Sequence, residues 1–413
     1  MIIKKTLTIF FVISIFFLSA CVTTGSKPGG FSRVGPPLSS SLSRGSVDRQ
    51  GIARPRLDVV VPVFDPGLPK DSDDYEEEGI WPELRKAEAN RFALKLKEAL
   101  DKTGRFGAVR VTPDQSATGD LYILGKVQQS NGEEVEFDLE VLGIDGEVWL
   151  DESFEYQVKE YFHKNQRNKG KDAYAPIFQK AANRIANALT DHSAKDLADL
   201  HYLSDLRFGA NFSDSAFMQY MNMEDGEITL TSKPSKNDPM LKRVRALRVR
   251  DQLFVDGLQT NYAAFSRQMD KSYLVWQEQS LLEVKAERKA REKAQTQAIG
   301  GALLIGLGVL SAVAGNRSDS SSGSTMGTAG AVVGGVAGAA LLHESFKTSQ
   351  EAKVHRDAIN ELGGSMNMEL APQVIRYEKK TVKLTGDAKQ QFAQWRAFLK
   401  KIYEQEATPD VQL

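Results

Sequence analysis

A single cysteine, Cys21, serves a chain of 413 residues. A disulfide framework is therefore excluded, and stability has to come from packing. A thiolate zinc site is excluded with it. The five histidines, His163, His192, His201, His343 and His355, lack ligand spacing such as H-E-x-x-H, so no metal site is expected. No G-x-S-x-G nucleophile elbow occurs, and Gly334-Gly335-Val336-Ala337-Gly338 lacks the Lys-Ser/Thr of a phosphate loop. No catalytic residue is assigned, and no enzyme activity is expected. An excess of positive charge is missing too. The 53 basic residues face 54 acidic ones, which gives no reason to expect a nucleic acid partner.

What the chain does have begins at its amino end. Lys4 and Lys5 precede an apolar run from Ile9 to Leu18, followed by Leu18-Ser19-Ala20-Cys21. A charged start, an apolar middle and small residues before a cut read as a signal peptide over residues 1–20. Cleavage before Cys21 resembles the lipobox of bacterial lipoproteins. That resemblance implies a diacylglycerol on the Cys21 thiol and a third acyl chain, of the palmitate kind, on the freed amine. Each buried methylene contributes roughly 0.8 kcal/mol, so three chains anchor firmly. Val22 in place of aspartate resembles the sorting signal of enterobacterial outer membrane lipoproteins and implies that membrane, with the bulk of the chain periplasmic. An ordinary signal peptide with a chance cysteine is the alternative.

Residues 21–55 carry the lipid site and a tether. Gly29-Gly30, Pro36-Pro37 and the serines from Ser39 to Ser46 show no hydrophobic periodicity. As a flexible coil the tether spans roughly 30 to 35 Å.

Residues 56–193 carry an α+β pattern. Leu57 to Phe64 is too apolar and β-branched for a surface helix and reads as a buried strand. A helix follows from about Glu83 to Lys102, with Phe92, Leu96 and Leu100 on one stripe and Gly104 beyond its end. Strands are expected at Ala108–Val111, Leu121–Gln128, Glu134–Gly143 and Glu147–Gln157, the last two joined by a tight turn at Asp145-Gly146. A second helix from Tyr174 to Leu189 completes a β-α-β-β-β-α order, with both helices on one face of a mixed, mostly antiparallel sheet. Val60-Val61-Pro62-Val63-Phe64, Thr103-Gly104-Arg105-Phe106, Tyr122 to Val127 and Phe137 to Val141 resemble the amino-terminal domain of TolB and the related CsgG and FlgO-type envelope proteins. The resemblance implies a docking and oligomerisation module.

Residues 194–250 read as a mixed connector, with a helix near Ala194 to Leu206 and a short strand at Gly226–Thr231. Lys380–Gly386 has the same alternation. The two either pair with each other or are unrelated edge strands.

A long helical hairpin is expected over 251–362. From about Pro239 to Thr296 the chain is rich in helix formers, with Gly257 a weak interruption. No ionisable residue lies between Lys293 and Arg317, and 298–315 would make about 27 Å of helix, near the ~30 Å of a bilayer core. A polar loop leads to a second uncharged span, 326–342. Gly301, Gly308 and Gly315 recur every seven residues, and Gly330, Gly334 and Gly338 every four. Small-residue stripes allow close helix contact in lipid. They resemble the glycine zipper of the SlyB and 17-kDa surface antigen lipoproteins. A flexible glycine-rich linker and a hairpin buried in a soluble core are the other readings of this stretch.

A charged helix is expected to return from Ser345 to Glu361. Residues 363–413 hold the later strand and an amphipathic helix, Asp387–Glu406. Its Phe392, Trp395, Phe398, Leu399 and Tyr403 either pack near Tyr273 and Trp276 or face a partner. The loop Asp71–Glu78, with six carboxylates in eight residues, is a solvated loop, with a divalent cation or a basic partner as alternatives. The expected protein is α+β with a glycine-zipper membrane tip: a lipid-anchored envelope scaffold. Apart from acyl chains on Cys21 it needs no cofactor, and its partners are the bilayer, other copies of itself and other envelope proteins. The alternative is a ring-forming subunit of an export channel.

Overall fold

Four consecutive buried residues, Val59–Pro62, form strand β1. A strand apolar on both faces belongs inside a sheet, and β1 lies between β2 (Val109–Thr112) and β3 (Leu121–Ser130), parallel to both. Strands β4 (Glu134–Gly143) and β5 (Val148–Gln157) extend the sheet antiparallel, giving the order β2-β1-β3-β4-β5. The computed structural model describes residues 54–72, 75, 80–312, 350–377 and 380–407. The chain divides into units Met1–Arg44 and Gly45–Leu413, and all described residues belong to the second.

Helix α1 (Pro82–Thr103) starts on a proline, whose fixed φ suits the first turn. It stops at Gly104, where φ is +63°. Helix α2 (Ala175–Ala188) packs beside it, its Ile177, Phe178, Ala181, Ala182 and Ile185 buried. On β4, Val135, Phe137, Leu139 and Val141 are buried while the intervening acidic residues stay on the other face. Phe137 stacks on Phe178 at 5.5 Å and meets Phe64 edge-on at 5.8 Å, which locks sheet and helices together.

The sheet is mixed, as expected, but it has five strands in the order β-α-β-β-β-β-α, one strand more than the expected β-α-β-β-β-α. Two of its four pairings are parallel. The cause is the α1 crossover, which returns β2 alongside β1 in the same direction.

Helix α3 (Ala194–Ala210) opens on a capping box between Ser193 and Asp196. After the short helix α4 (Asp214–Phe217) come β6 (Met221–Glu224) and β7 (Glu227–Leu230), paired with each other. Asp225 and Gly226 turn between them with positive φ. Helix α5 (Pro239–Ala312) runs 74 residues, and α6 (Gln350–Gly363) lies against it. Strands β8 (Gln373–Tyr377) and β9 (Lys380–Leu384) make a second ribbon before α7 (Ala388–Ala407). Of the two readings of Gly226–Thr231 and Lys380–Gly386, the structure shows the unpaired one, each segment belonging to its own ribbon. Each strand has a sequence neighbour, and closing a short turn costs less entropy than closing a long one.

Two further expectations need correction. Gly257 does not interrupt α5, because Phe254, Val255 and Leu258 around it are buried and hold the helix through that point. The α7 aromatics do pack inward, but on the start of α5. Trp395 stacks on Phe254 at 5.3 Å, and Tyr403 meets Phe212 at 5.2 Å. Tyr273 and Trp276 instead serve α1 and α2, Tyr273 meeting Tyr174 at 6.3 Å.

Helix α5 is thus part of the core from Leu241 to Leu281, along which twelve apolar residues are buried. It also closes an exposed sheet edge. The Gln259 amide accepts from Val111 N at 2.9 Å and donates to Val111 O at 2.8 Å, as a neighbouring strand would. Helix α6 packs back on α1 as well. A side chain at Gly363 would overlap the Glu83 carbonyl, 1.8 Å from the added carbon, so only glycine fits there.

Candidate functional site

Of the residues assigned from sequence, Cys21, Gly315, Gly330, Gly334 and Gly338 lie outside the described residues, as do the span 326–342, His343 and most of the acidic loop. Gly301 and Gly308 lie on α5, which continues through the uncharged stretch as far as Ala312. Among the described residues no helix is long and apolar enough to cross a membrane. No group of three or more His, Cys, Asp or Glu among them is placed to hold a metal ion.

What the fold does assemble is a pair of buried ionic junctions between the sheet domain and α5. The first centres on Arg91 of α1, whose side chain is 1% exposed. One guanidinium nitrogen meets Asp172 at 2.8 Å. The other donates to Ser266 Oγ at 3.2 Å and pairs with Asp270 of α5. The guanidinium also lies 4.5 Å from the centre of the Tyr273 ring. Gln277 of α5 donates to Asp172 at 2.8 Å and accepts from Ala173 N at 3.2 Å. Burial alone would raise the Asp172 carboxyl, but Arg91 and Gln277 outweigh it and hold the group below its ordinary value.

One turn earlier, Glu88 is fully buried. Its Oε1 accepts from Ser130 Oγ at 2.5 Å and Tyr273 Oη at 2.7 Å. Here burial wins over Arg85, these two hydroxyls and Arg91, and the carboxyl is pushed up. Tyr174 closes the layer, its Oη accepting from Gly132 N at 2.6 Å.

The second junction centres on Asp120, fully buried at the entry to β3. It accepts from Asp58 N at 2.9 Å, from Ser204 Oγ at 2.6 Å and from Arg248 Nη2 at 3.4 Å, and His201 Nδ1 lies 3.1 Å away. Arg248 and Arg245 of α5 both bind Asp205 of α3, at 2.6 and 2.7 Å. Arg396 of α7 meets Asp251 of α5 at 2.8 Å. Burial opposes ionisation of Asp120, yet the hydrogen bond and charge of His201, with Arg248 and Ser204, bring its carboxyl below the ordinary value. The reverse pull raises His201, mainly through the same hydrogen bond.

Chemically these junctions resemble no nucleophile with its base. The aspartates at their centres are saturated by guanidinium, amide or hydroxyl donors, and the arginines are fixed in two or more directions. What they do is set the position of α5 on the domain. Sequence reading missed them because their partners are far apart: Arg91 and Asp270 are separated by 179 residues. The one available signal was local. Arg91 interrupts an apolar face beside Phe92, and a charge at such a position calls for a buried partner. Of the remaining histidines, His355 lies 3.1 Å from Ser272 Oγ between α6 and α5, and His192 stacks on Trp149 at 3.8 Å. Compared with protein-family models, with curated proteins and with solved structures, the chain matches none.

Proposed function

We propose that this protein is a lipid-anchored scaffold of the bacterial outer membrane. Acyl chains on Cys21 and a glycine-faced hairpin over 298–342 both enter lipid, and the α+β domain docks other envelope proteins or further copies of the chain. One observation carries the reading: α5 is a single helix that begins inside the domain core and continues without a break into the uncharged stretch. Its 74 residues span about 110 Å at ~1.5 Å per residue. A helix clamped by Arg91, Asp120 and their partners at one end transmits position from the other. That property suits a scaffold, whose task is to hold a domain at a fixed place relative to a membrane. The lipobox-like Leu18-Ser19-Ala20-Cys21 and the doubled glycine spacing supply the membrane end of the argument.

Two anchors give a direct test. A Cys21→Ser chain loses its acyl chains and, on this reading, still stays in the membrane pellet after carbonate washing at high pH. Removing 298–342 as well releases it. Complete release of the Cys21→Ser form alone contradicts the proposal.

A further inference from the structure

A groove of about 660 Å³ opens where α3, the β6–β7 ribbon, α7 and the entry to β3 meet. That volume falls within the ~300–1,000 Å³ of small-molecule sites. None of the residues assigned from sequence lines it, and it is separate from the membrane segment. Three cationic residues, Arg207, Arg396 and Lys400, line it. Arg207 at the end of α3 is held by a bond to the Ile144 carbonyl. Arg396 on α7 is fixed by Asp251 and lies 5.3 Å from the Phe208 ring centre. Lys400 is exposed one turn further along α7 and has no carboxylate partner among the described residues. Asp214 is the one carboxylate residue in the lining, and with Arg396 paired to Asp251 the groove keeps Arg207 and Lys400 as cations without a carboxylate of their own among the described residues.

The lining also has apolar members, beside the polar Gln115, Ser116, Thr118 and Asn211. Met218, Met221 and Met223 are among them, and Phe208 is part of the groove floor. Met218 and Met223 are 39% and 60% exposed, although both carry large apolar side chains. Among the described residues no apolar partner covers these two thioethers. Methionine adapts to irregular apolar partners, because its side chain is unbranched and polarizable. Guanidinium groups held in place are preset to receive an oxyanion.

We propose that this groove binds a single-chain amphiphile with an anionic head, such as a long-chain fatty acid. Its carboxylate or phosphate meets Arg207, Arg396 and Lys400, and its acyl chain runs over the methionines. A free inorganic anion has no use for the methionines. An uncharged lipid has none for the cations. The inference stands independently of the membrane hairpin.

The test is photolabelling. The full chain in phosphatidylcholine vesicles at pH 8 is exposed to a trace of diazirine-bearing palmitic acid, and the labelled peptides are mapped. Label is expected in the segment containing Met218 to Met223. Unlabelled palmitic acid should suppress it at least tenfold, and hexadecanol and inorganic phosphate should not. Lys400→Glu and Met223→Ser, both at exposed positions, should each cut groove labelling several-fold while leaving thermal unfolding unchanged. Label absent from this segment, equal competition by hexadecanol, displacement by inorganic phosphate, or no effect of either substitution overturns the proposal.

Discussion

Arg91→Ala is expected to lower the unfolding free energy by about 3–5 kcal/mol, the range for breaking a buried ion pair from one side. The mechanism is specific. Asp172 would keep its place in the core while losing the cation paired with it, and Gln277 and Tyr174 N would remain as its donors. The half-exposed Asp270 can turn to water and adds little. The charge left behind dominates, so Asp172→Asn in the same chain should recover part of the loss. The measurement is denaturant unfolding of the four chains of this double-mutant cycle. Additive losses would show that the pair is not coupled. A loss below about 1 kcal/mol for Arg91→Ala would place the junction among weak surface contacts.

Asp120→Ala is the second large effect, again about 3–5 kcal/mol. Here several donors lose one acceptor. Asp58 N, Ser204 Oγ and Arg248 Nη2 all point at the Asp120 carboxylate from separate elements. Ser204 retains a bond to Gly119 O, and Arg248 retains Asp205, while Asp58 N loses its side-chain acceptor. The effect depends on pH with a definite sign. Because folding lowers the Asp120 pKa, its contribution is full above the ordinary value of 3.8 and is lost as pH falls through the lower folded value. The stability gap between the wild type and Asp120→Ala should therefore narrow in acid below that value. A gap that stays constant down to pH 2 would show that the ionised carboxylate is not what matters.

Local order was legible in the sequence wherever a short-range rule applied. Alternation placed β4 and β5, Asp145-Gly146 placed their turn, and Gly104 ended α1. Asp225-Gly226 is the same kind of turn signal, yet Met221–Glu224 before it, only four residues and without a β-branched or aromatic side chain, hid the partner strand. Pairing across long separations was less accessible. Val59–Pro62 reads as an inner strand, but nothing in it names β2 and β3 as its neighbours. The hardest part was α5. Arg243, Arg245, Arg248 and Arg250 look like the solvated face of a stalk, whereas Arg248 is buried and Asp251 with it. Charge content alone does not tell a wet helix from one whose charges have partners supplied by α3, α7 and the sheet. The candidate site shares this origin, since both junctions are built from pairs that only the folded chain brings together.

Contact of 298–342 with acyl chains, as proposed, is measurable through the single native cysteine. In a Cys21→Ser background, a fluorophore placed at Leu307→Cys or at Lys285→Cys can be read in vesicles containing brominated lipid. Strong quenching is expected at position 307 and none at 285, where Lys285 donates to the Glu160 carbonyl of the domain. Equal and negligible quenching at both positions would contradict the proposed contact, and would put the glycine-rich stretch in water or in the protein's own core.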